Sequence, residues 1–243
     1  MKLTASVLVA QSVCGFLRHV QYGARQPLPF LGSRRRFGTA VHAAIAVYEK
    51  SGCRLEPALD ALPSLGLPPR DLHEARAILA WRHARERDPS RRPFLIEGSL
   101  HVSLDDHRLE VRMDRLDRRE GEYVLAEYKA GRRVDLEPLR AQLRILSYVI
   151  GRTLGRTPSE WEVELLGARR IFKLPAERQL SELERFTGDL ARAVARDDRE
   201  PDPTDATFCR RCPARSFCPR ATPDPRPLPD PSRREESAQL NLF

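Results

Sequence analysis

The stretch Asp114-Arg115-Leu116-Asp117 is followed, thirteen positions after Asp114, by Glu127-Tyr128-Lys129 at the end of an apolar run. Two carboxylates and a lysine at a strand end are the groups that metal-dependent cleavage of a phosphodiester requires. An exposed lysine paired with Glu127 is the structural alternative, because charged pairs often flank strands. The spacing therefore favours a metal site and leaves the simpler pair open.

Lysine is rare in this chain, which makes Lys129 informative. Of the 42 basic residues, only Lys2, Lys50, Lys129 and Lys173 are lysines. Arginine stays protonated and presents a wide planar fork, whereas lysine is a compact charge whose pKa shifts readily on burial. Lys129 can therefore orient or deprotonate a metal-bound water, a task for which arginine is unsuited.

Length and charge set further bounds. The chain has 243 residues, enough for one catalytic domain with appendages. It carries 42 Lys and Arg against 34 Asp and Glu, a net charge of +8 that suits a polyanionic partner. No stretch approaches the roughly 18 apolar residues of a membrane span. The opening residues 1–6 do not read as a signal peptide, so we expect a cytoplasmic protein that contacts no membrane.

Hydrophobic periodicity predicts an α/β fold. Helices are expected at residues 6–22, 37–50, 71–87, 136–154 and 176–197, and strands at residues 94–104, 109–116, 123–128 and 161–166. The first three strands follow one another across short turns, as in a hairpin meander. The mixture predicts a mixed central sheet flanked by helices.

The cysteines form a second constellation. Cys209, Cys212 and Cys218 lie in one short segment, Cys14 stands alone near the N-terminus, and Cys53 is left over. Disulfides are disfavoured in the cytoplasm, so three thiolates from one loop and a distant fourth indicate a soft-metal site. Zinc is an alternative, but structural zinc sites usually come as two paired knuckles, so the arrangement favours an iron-sulfur cluster.

The composition changes after Cys218. Residues 219–236 are dominated by Pro, Asp and Arg, which cannot build a core, and we expect a disordered tether over 219–238. The last residues, Gln239-Leu240-Asn241-Leu242-Phe243, resemble the bacterial sliding-clamp-binding peptide, in which the glutamine amide docks and the Leu-Phe pair fills an apolar pocket. On a tether, such a peptide raises the local concentration of a protein at DNA. A chance apolar tail is the alternative.

Four pieces of the chain occur in a fixed order: Cys14, then Gly38-Thr39-Ala40-Val41-His42, then the segment from Asp114 to Gly131, then the closing cysteines. Together they resemble the PD-(D/E)XK nuclease superfamily, specifically its RecB/AddB-type iron-sulfur exonucleases, a group that includes small CRISPR-adaptation nucleases. The resemblance covers most of Leu3 to Cys218. It implies a nuclease domain over residues 1–218.

The resemblance also implies residue roles. His42, Asp114, Glu127 and the Tyr128 carbonyl would be metal ligands, and Lys129 would be the catalytic lysine. Mg²⁺ or Mn²⁺ is expected because carboxylates supply hard oxygen ligands, and an imidazole shifts the preference toward Mn²⁺. Taken alone, His42 would fit a helix histidine satisfied in the core.

The same resemblance implies a 4Fe-4S cluster held by Cys14, Cys209, Cys212 and Cys218. Such a cluster would tie the two ends of the domain together across a very long loop.

The chain departs from the family pattern in two places. The position of Glu127 is usually aspartate. The family often carries Gln-x-x-x-Tyr on the following helix, whereas here a leucine stands at that spacing from Gln142, and Tyr148 falls on a different helix face. We expect Gln142 at the periphery of the site and Tyr148 in the core. Glu97 and Asp117 lie in the predicted strands near the site. A position at the surface or in a hairpin pair is the main expectation for both, and support of the metal ligands is the alternative.

These features predict a metal-dependent DNA exonuclease of repair, recombination or replication, recruited by the sliding clamp. A CRISPR-adaptation-type nuclease that trims DNA ends is the nearest alternative enzyme. A non-cleaving DNA-end or clamp-binding adaptor is the alternative from another class, and the intact ligand set with Lys129 opposes it. No helicase motif is visible, so any unwinding must come from a helicase partner.

Overall fold

A six-stranded mixed sheet lies at the centre of the structure, a computed structural model that describes residues 2–26, 28, 32–85, 92–203 and 206–221. The strands are β1 (Lys2–Thr4), β2 (Arg92–Leu104), β3 (His107–Arg119), β4 (Glu122–Lys129), β5 (Glu160–Leu165) and β6 (Arg170–Pro175). The helices are α1 (Ala5–Val13), α2 (Gly15–Arg18), α3 (Gly32–Lys50), α4 (Leu55–Ala61), α5 (Pro69–Arg85), α6 (Leu136–Leu154) and α7 (Leu180–Ala195). No helix within these ranges is long and apolar enough to cross a membrane.

Strand β3 organises the sheet. β2 runs antiparallel along one edge of β3, from His107 to Arg118. The other edge carries two partners, β1 in parallel at residues 108–110 and β4 antiparallel at residues 115–119. β4 pairs in parallel with β5, and β5 pairs antiparallel with β6. The predicted meander and the predicted mixed α/β architecture are confirmed.

Helices cover both faces of the sheet. On one face, α1, α6 and α7 pack against side chains that include Leu125 of β4. On the other face, α3, α4 and α5 pack against side chains that include Tyr128. Side chains alternate along a strand, so Glu127 and Lys129 lie on the α6 face, and Tyr128 lies on the face of α3 and α5.

The two partners on the second edge of β3 leave a gap between them. β1 pairing ends at Glu110 and β4 pairing begins at Arg115, so residues 111–114 have no strand partner on that edge among the described residues. Beyond Arg115 and Ala126 the two strands separate, while β4 continues beside β5 as far as Lys129. We call this opening, bounded by residues 111–114 and by the end of β4, the notch.

The predicted opening helix at 6–22 is not continuous, although residues 5–23 are helical except at Cys14. Residues 2–4 form β1, and Cys14 has an extended backbone, φ −171°, that separates α1 from α2. The break allows close contact with the segment that follows α7. A Cβ on Gly15 would lie 2.6 Å from the Asp198 carbonyl oxygen, and the Phe16 amide donates to the Glu200 carbonyl at 3.2 Å. The first helices are therefore joined to residues far along the chain.

The C-terminal cysteines lie in short turns within residues 206–221. Residues 222–243 lie outside the described residues, and with them most of the predicted tether and the whole Gln239–Phe243 peptide. The predicted domain boundaries there stay predictions.

A network of buried charges joins the α3–α5 layer to the sheet. Arg82 of α5 donates to Glu49 of α3 and to Glu164 of β5. Arg115 of β3 donates to Glu49 at 2.9 Å, and the Tyr128 hydroxyl donates to the same carboxylate oxygen at 2.6 Å. All of these side chains are buried. Charges at this depth are tolerated only because they are paired.

Replacing Arg82 by leucine should destabilise the fold by about 3–5 kcal/mol, because Glu49 and Glu164 would stay buried without that partner. Arg85→Leu is the matched control on the same helix, since the Arg85 guanidinium is exposed and lies over Trp81, 5.5 Å from the ring centre. Its effect should be far smaller. Urea unfolding followed by circular dichroism measures both. Equal losses in the two variants would contradict this account of the network.

Candidate active site

Asp114 lies where β3 and β4 separate, and its carboxylate bridges the two strands. Oδ2 accepts a hydrogen bond of 2.7 Å from the backbone N–H of Tyr128, which lies past the end of the β3–β4 ladder. Oδ1 lies 2.9 Å from Nδ1 of His42. The side chain is only 11% exposed. Asp114 thereby fixes both the end of β4 and the ring of His42.

His42 reaches Asp114 from helix α3. Its ring also meets Tyr128 edge-on, with ring centres 6.0 Å apart. Burial disfavours the imidazolium, but the hydrogen bond to Asp114 and the charges of Asp114, Glu127 and Glu97 outweigh it, so the pKa of His42 is raised. A bound cation would take the place of that proton, because a metal ligand must be the neutral imidazole.

Glu127, Lys129 and Gln142 form a closed hydrogen-bonded triangle. Nζ of Lys129 donates to Oε1 of Glu127 at 2.8 Å and to Oε1 of Gln142 at 2.7 Å. Nε2 of Gln142 donates to the same Glu127 oxygen at 2.6 Å. Alternation along β4 puts Glu127 and Lys129 on one face, and α6 supplies Gln142 to that face. The structure therefore brings all three predicted residues together.

Glu127 is a buried carboxyl with a shifted pKa. Burial and the charge of Asp114 raise its pKa to about 7, against the opposing charges of Lys129 and His42. Oε1 accepts the hydrogen bonds from Lys129 and Gln142, while Oε2 is buried and has no hydrogen-bond partner in the described structure. A cation stabilises a carboxylate oxygen that has been removed from water in this way.

Glu97 is a further carboxylate at the notch. Of the two positions expected for it, the surface one is wrong and the hairpin pair is formed, with Arg112 of β3. The Glu97 side chain is 9% exposed, and Oε1 lies 3.8 Å from Nδ1 of His42. Ligand atoms of His42, Glu97 and Asp114 all lie within 4.8 Å of one another. Asp117 is buried as well, and there it pairs with Arg115 in the charged network.

Hairpin register is the sequence signal that would have placed Glu97. The two-residue turn at 105–106 pairs Leu104 with His107, and the pairing continues in register along both strands. Seven residues from the turn, backward along β2 from Leu104 and forward along β3 from His107, this register puts Glu97 opposite Asp114. Turn length sets register in a hairpin, so the short acidic turn between the two strands carries this information.

The sequence and the fold were compared with known protein families and solved structures. The profile of the PD-(D/E)XK nuclease superfamily matches residues 2–219. The chain belongs to the PD-(D/E)XK nuclease superfamily. A Eubacterium rectale protein named "Putative exonuclease" aligns over 86% of this chain and 87% of its own, with a TM-score of 0.54 and 13% identity, which shows the fold alone. The crystal structure of SSO0001 aligns over 91% of this chain and 87% of its own, with a TM-score of 0.45 and 14% identity. No curated protein matches the chain.

Membership in the PD-(D/E)XK superfamily indicates a metal-dependent nuclease. The residues at the notch fit a divalent cation, because they combine carboxylate oxygens with one imidazole. One of those oxygens, Oε2 of Glu127, is buried and accepts no hydrogen bond from any described residue. This donor set suits Mg²⁺ or Mn²⁺. Ligation by His42, Asp114, Glu127 and the Tyr128 carbonyl stays a prediction.

The four cysteines predicted to hold a cluster line one cavity of about 240 Å³. Burial, reinforced by the neighbouring thiols, raises the pKa of Cys212 to about 11. Within the described ranges no three cysteine sulfurs lie within 4.8 Å of one another. A tetrahedral zinc ion would hold them about 3.8 Å apart, given bonds of about 2.3 Å. Cys53 packs elsewhere, against the α3–α5 layer.

The expected position of Tyr148 is confirmed, since this residue of α6 is only 1% exposed and its side chain lies in the core between α6 and the sheet. Its ring therefore does not take the place that the family pattern gives to the tyrosine of Gln-x-x-x-Tyr. Gln142, by contrast, makes the contacts with Glu127 and Lys129 that place it in the site.

Proposed function

We propose that this protein is a metal-dependent DNA exonuclease of the RecB/AddB iron-sulfur type, acting in DNA repair, recombination or replication. The observation that carries the proposal is the lysine at the notch. Lys129 follows two buried carboxylates, Asp114 and Glu127, and it is held in place by two hydrogen bonds. A lysine in that position matches the chemistry of phosphodiester hydrolysis.

The proposed division of labour follows from the contacts. A divalent cation supplies Lewis-acid activation of the scissile phosphate and of the attacking water. Asp114 and Glu127 offer anionic oxygens, and His42 offers an imidazole nitrogen. An ammonium has three donors, and Lys129 uses two of them on Glu127 and Gln142. The third is available to hold the attacking water or a phosphate oxygen.

Gln142 acts as a positioning residue in this proposal. It accepts from Lys129 and donates to Glu127, so it fixes the separation of the two groups from helix α6. Because the triangle is closed, neither side chain can turn away without breaking two hydrogen bonds. Preorganisation of this kind lowers the barrier without any motion at the moment of reaction.

A groove supports the choice of a nucleic-acid strand as substrate. It has a volume of about 750 Å³ and runs from Lys129 and Gln142 past α1 toward Phe208. Arg112 and Arg133 lie on its walls, and both are exposed. Basic side chains beside an apolar floor suit the phosphates and bases of a single strand or a DNA end.

Cleavage of end-labelled DNA tests the nuclease proposal. With Mg²⁺ or Mn²⁺, Lys129→Ala should lower the rate by about 10²-fold or more, the range of general acid-base contributions. Lys173→Ala is the matched control, an exposed lysine paired with Glu160 on the other end of the sheet, and it should cleave as the wild type does. Using single-stranded and duplex substrates labelled at either end also gives polarity.

Tight DNA binding without cleavage, the same in wild type and Lys129→Ala, would contradict the nuclease proposal. It would favour the alternative of a non-cleaving DNA-end or clamp-binding adaptor. Trimming confined to protospacer-like ends would favour the CRISPR-adaptation alternative.

The proposal includes a 4Fe-4S cluster on Cys14, Cys209, Cys212 and Cys218. Two observations support it: the four residues share a cavity, and within the described ranges their sulfurs lie farther apart than a zinc ion would hold them. A cytoplasmic location is part of the proposal, because a reducing compartment keeps thiols available as cluster ligands. The cluster would join α1 to the C-terminal turns and remove freedom from the unfolded chain.

Anaerobic purification tests the cluster. Cys212→Ser should lose the brown colour and the bound iron and should unfold at a lower temperature than the wild type, because the join between the chain ends is lost. Cys53→Ser is the matched control and should keep its iron. A colourless wild-type protein that carries zinc would contradict the assignment.

Recruitment by the bacterial sliding clamp is the last part of the proposal. Gln239, Leu240, Leu242 and Phe243 are the proposed contacts, and residues 219–238 are the proposed tether. A helicase partner would supply any unwinding.

Deletion of residues 239–243 should abolish capture of the protein by immobilised clamp and leave nuclease activity unchanged, since the peptide is separate from the notch in the sequence. A matched control replaces residues 226–230 of the tether and keeps the peptide. Undiminished capture after the deletion would remove the clamp from the account.

A further inference from the structure

Glu97 is a largely buried carboxylate, and in the described part of the protein only one of its two oxygens accepts a hydrogen bond. Oε2 accepts a hydrogen bond of 2.9 Å from Nε of Arg112, whose own side chain is 70% exposed. Oε1 is buried and accepts no hydrogen bond within the described part of the protein. The Glu97 side chain is only 9% exposed, so bulk water does not serve the unpaired oxygen.

The neighbours of Oε1 are atoms that bind metals. Nδ1 of His42 lies 3.8 Å away, beyond hydrogen-bond distance. The ligand atoms of His42, Glu97 and Asp114 fall within 4.8 Å of one another. Two carboxylates so close together and so little exposed repel each other unless a positive charge lies between them. Arg112 compensates only the outer oxygen of Glu97.

The backbone of Glu97 is held in an uncommon conformation. Its φ is +48°, in the left-handed region that is unfavourable for a glutamate. The pairs Ile96–Arg115 and Gly98–Met113 on either side keep β2 and β3 in register around it. Strained residues persist where their surroundings fix them, and they cluster at functional sites. Here the strained residue stands opposite Asp114.

We propose that Glu97 is a direct ligand of the divalent cation through Oε1, alongside His42 and Asp114. Strand β2 then contributes to the metal site together with α3 and β3. The inference rests on the proposed function, because it requires a cation at the notch. Arg112 is a positioning residue in this arrangement, since it fixes Oε2 from the solvent side and leaves Oε1 next to His42.

Mn²⁺ binding in the absence of DNA tests the assignment. By isothermal titration calorimetry on the full chain, Glu97→Gln should bind Mn²⁺ at least about 10–100-fold more weakly than the wild type, because losing even a residue that only supports a metal ligand costs about that much. Glu122→Gln is the matched control, because Glu122 is a carboxylate of β4 that pairs with Arg156 and Arg178 away from the notch. It should bind Mn²⁺ as the wild type does.

Thermal unfolding separates a ligand from a structural carboxylate. For a ligand, Glu97→Gln keeps or raises the metal-free midpoint, because repulsion with Asp114 is removed, and it loses most of the rise that Mn²⁺ causes in the wild type. For a carboxylate that only pairs with Arg112, the variant lowers the metal-free midpoint and keeps that rise, which would overturn the assignment.

Unchanged Mn²⁺ affinity in Glu97→Gln would overturn the assignment and leave the proposed nuclease function intact. A wild-type protein that binds no Mn²⁺ would overturn both. Should Glu97→Gln fail to fold, Glu97→Asp takes its place, because it keeps the charge and withdraws the oxygen by one methylene. The same loss of Mn²⁺ affinity is expected for it.

Discussion

The hydrogen bond from the Tyr128 amide to Asp114 is the constraint on which the site depends. Strands β3 and β4 stop pairing after Arg115 and Ala126, so the Tyr128 N–H would be a buried donor without a partner. Asp114 satisfies it at 2.7 Å and keeps its other oxygen for His42. A single side chain thus makes the separation of the strands tolerable and also places a carboxylate inside it.

The remaining contacts hold the two sides of this separation in place. Behind β4, Tyr128 is anchored through its hydroxyl to Glu49 and Arg82, which tie α3 and α5 to the sheet. In front of β4, Gln142 of α6 holds Glu127 and Lys129. Both faces of one short strand are therefore fixed by hydrogen bonds, so its last residues can present charged groups that would otherwise repack.

Much of this arrangement is predictable from the sequence, and the failures have physical causes. The hairpins of β2 to β4 and helix α6 follow from strong periodicity. Strand β6 does not, because it is a short edge strand whose side chains are mostly exposed. Helix α4 does not either, because it is short and contains Pro57, a residue that usually signals a helix break. The break at Cys14 depends on contact with residues about 185 positions later in the chain, which local pattern does not carry. Periodicity puts Glu97 in a strand near the site but does not give its neighbours, because those depend on the register of β2 against β3, which the two-residue turn sets.

The central claim is that the notch binds a divalent cation, and locating Mn²⁺ by anomalous diffraction tests it most directly. Crystals of Lys129→Ala grown with Mn²⁺ keep all the proposed ligands and remove turnover. The account predicts the strongest manganese peak in the notch, within coordination distance of an Asp114 oxygen. An ordered manganese ion elsewhere, with the notch empty in the same crystal, would contradict it.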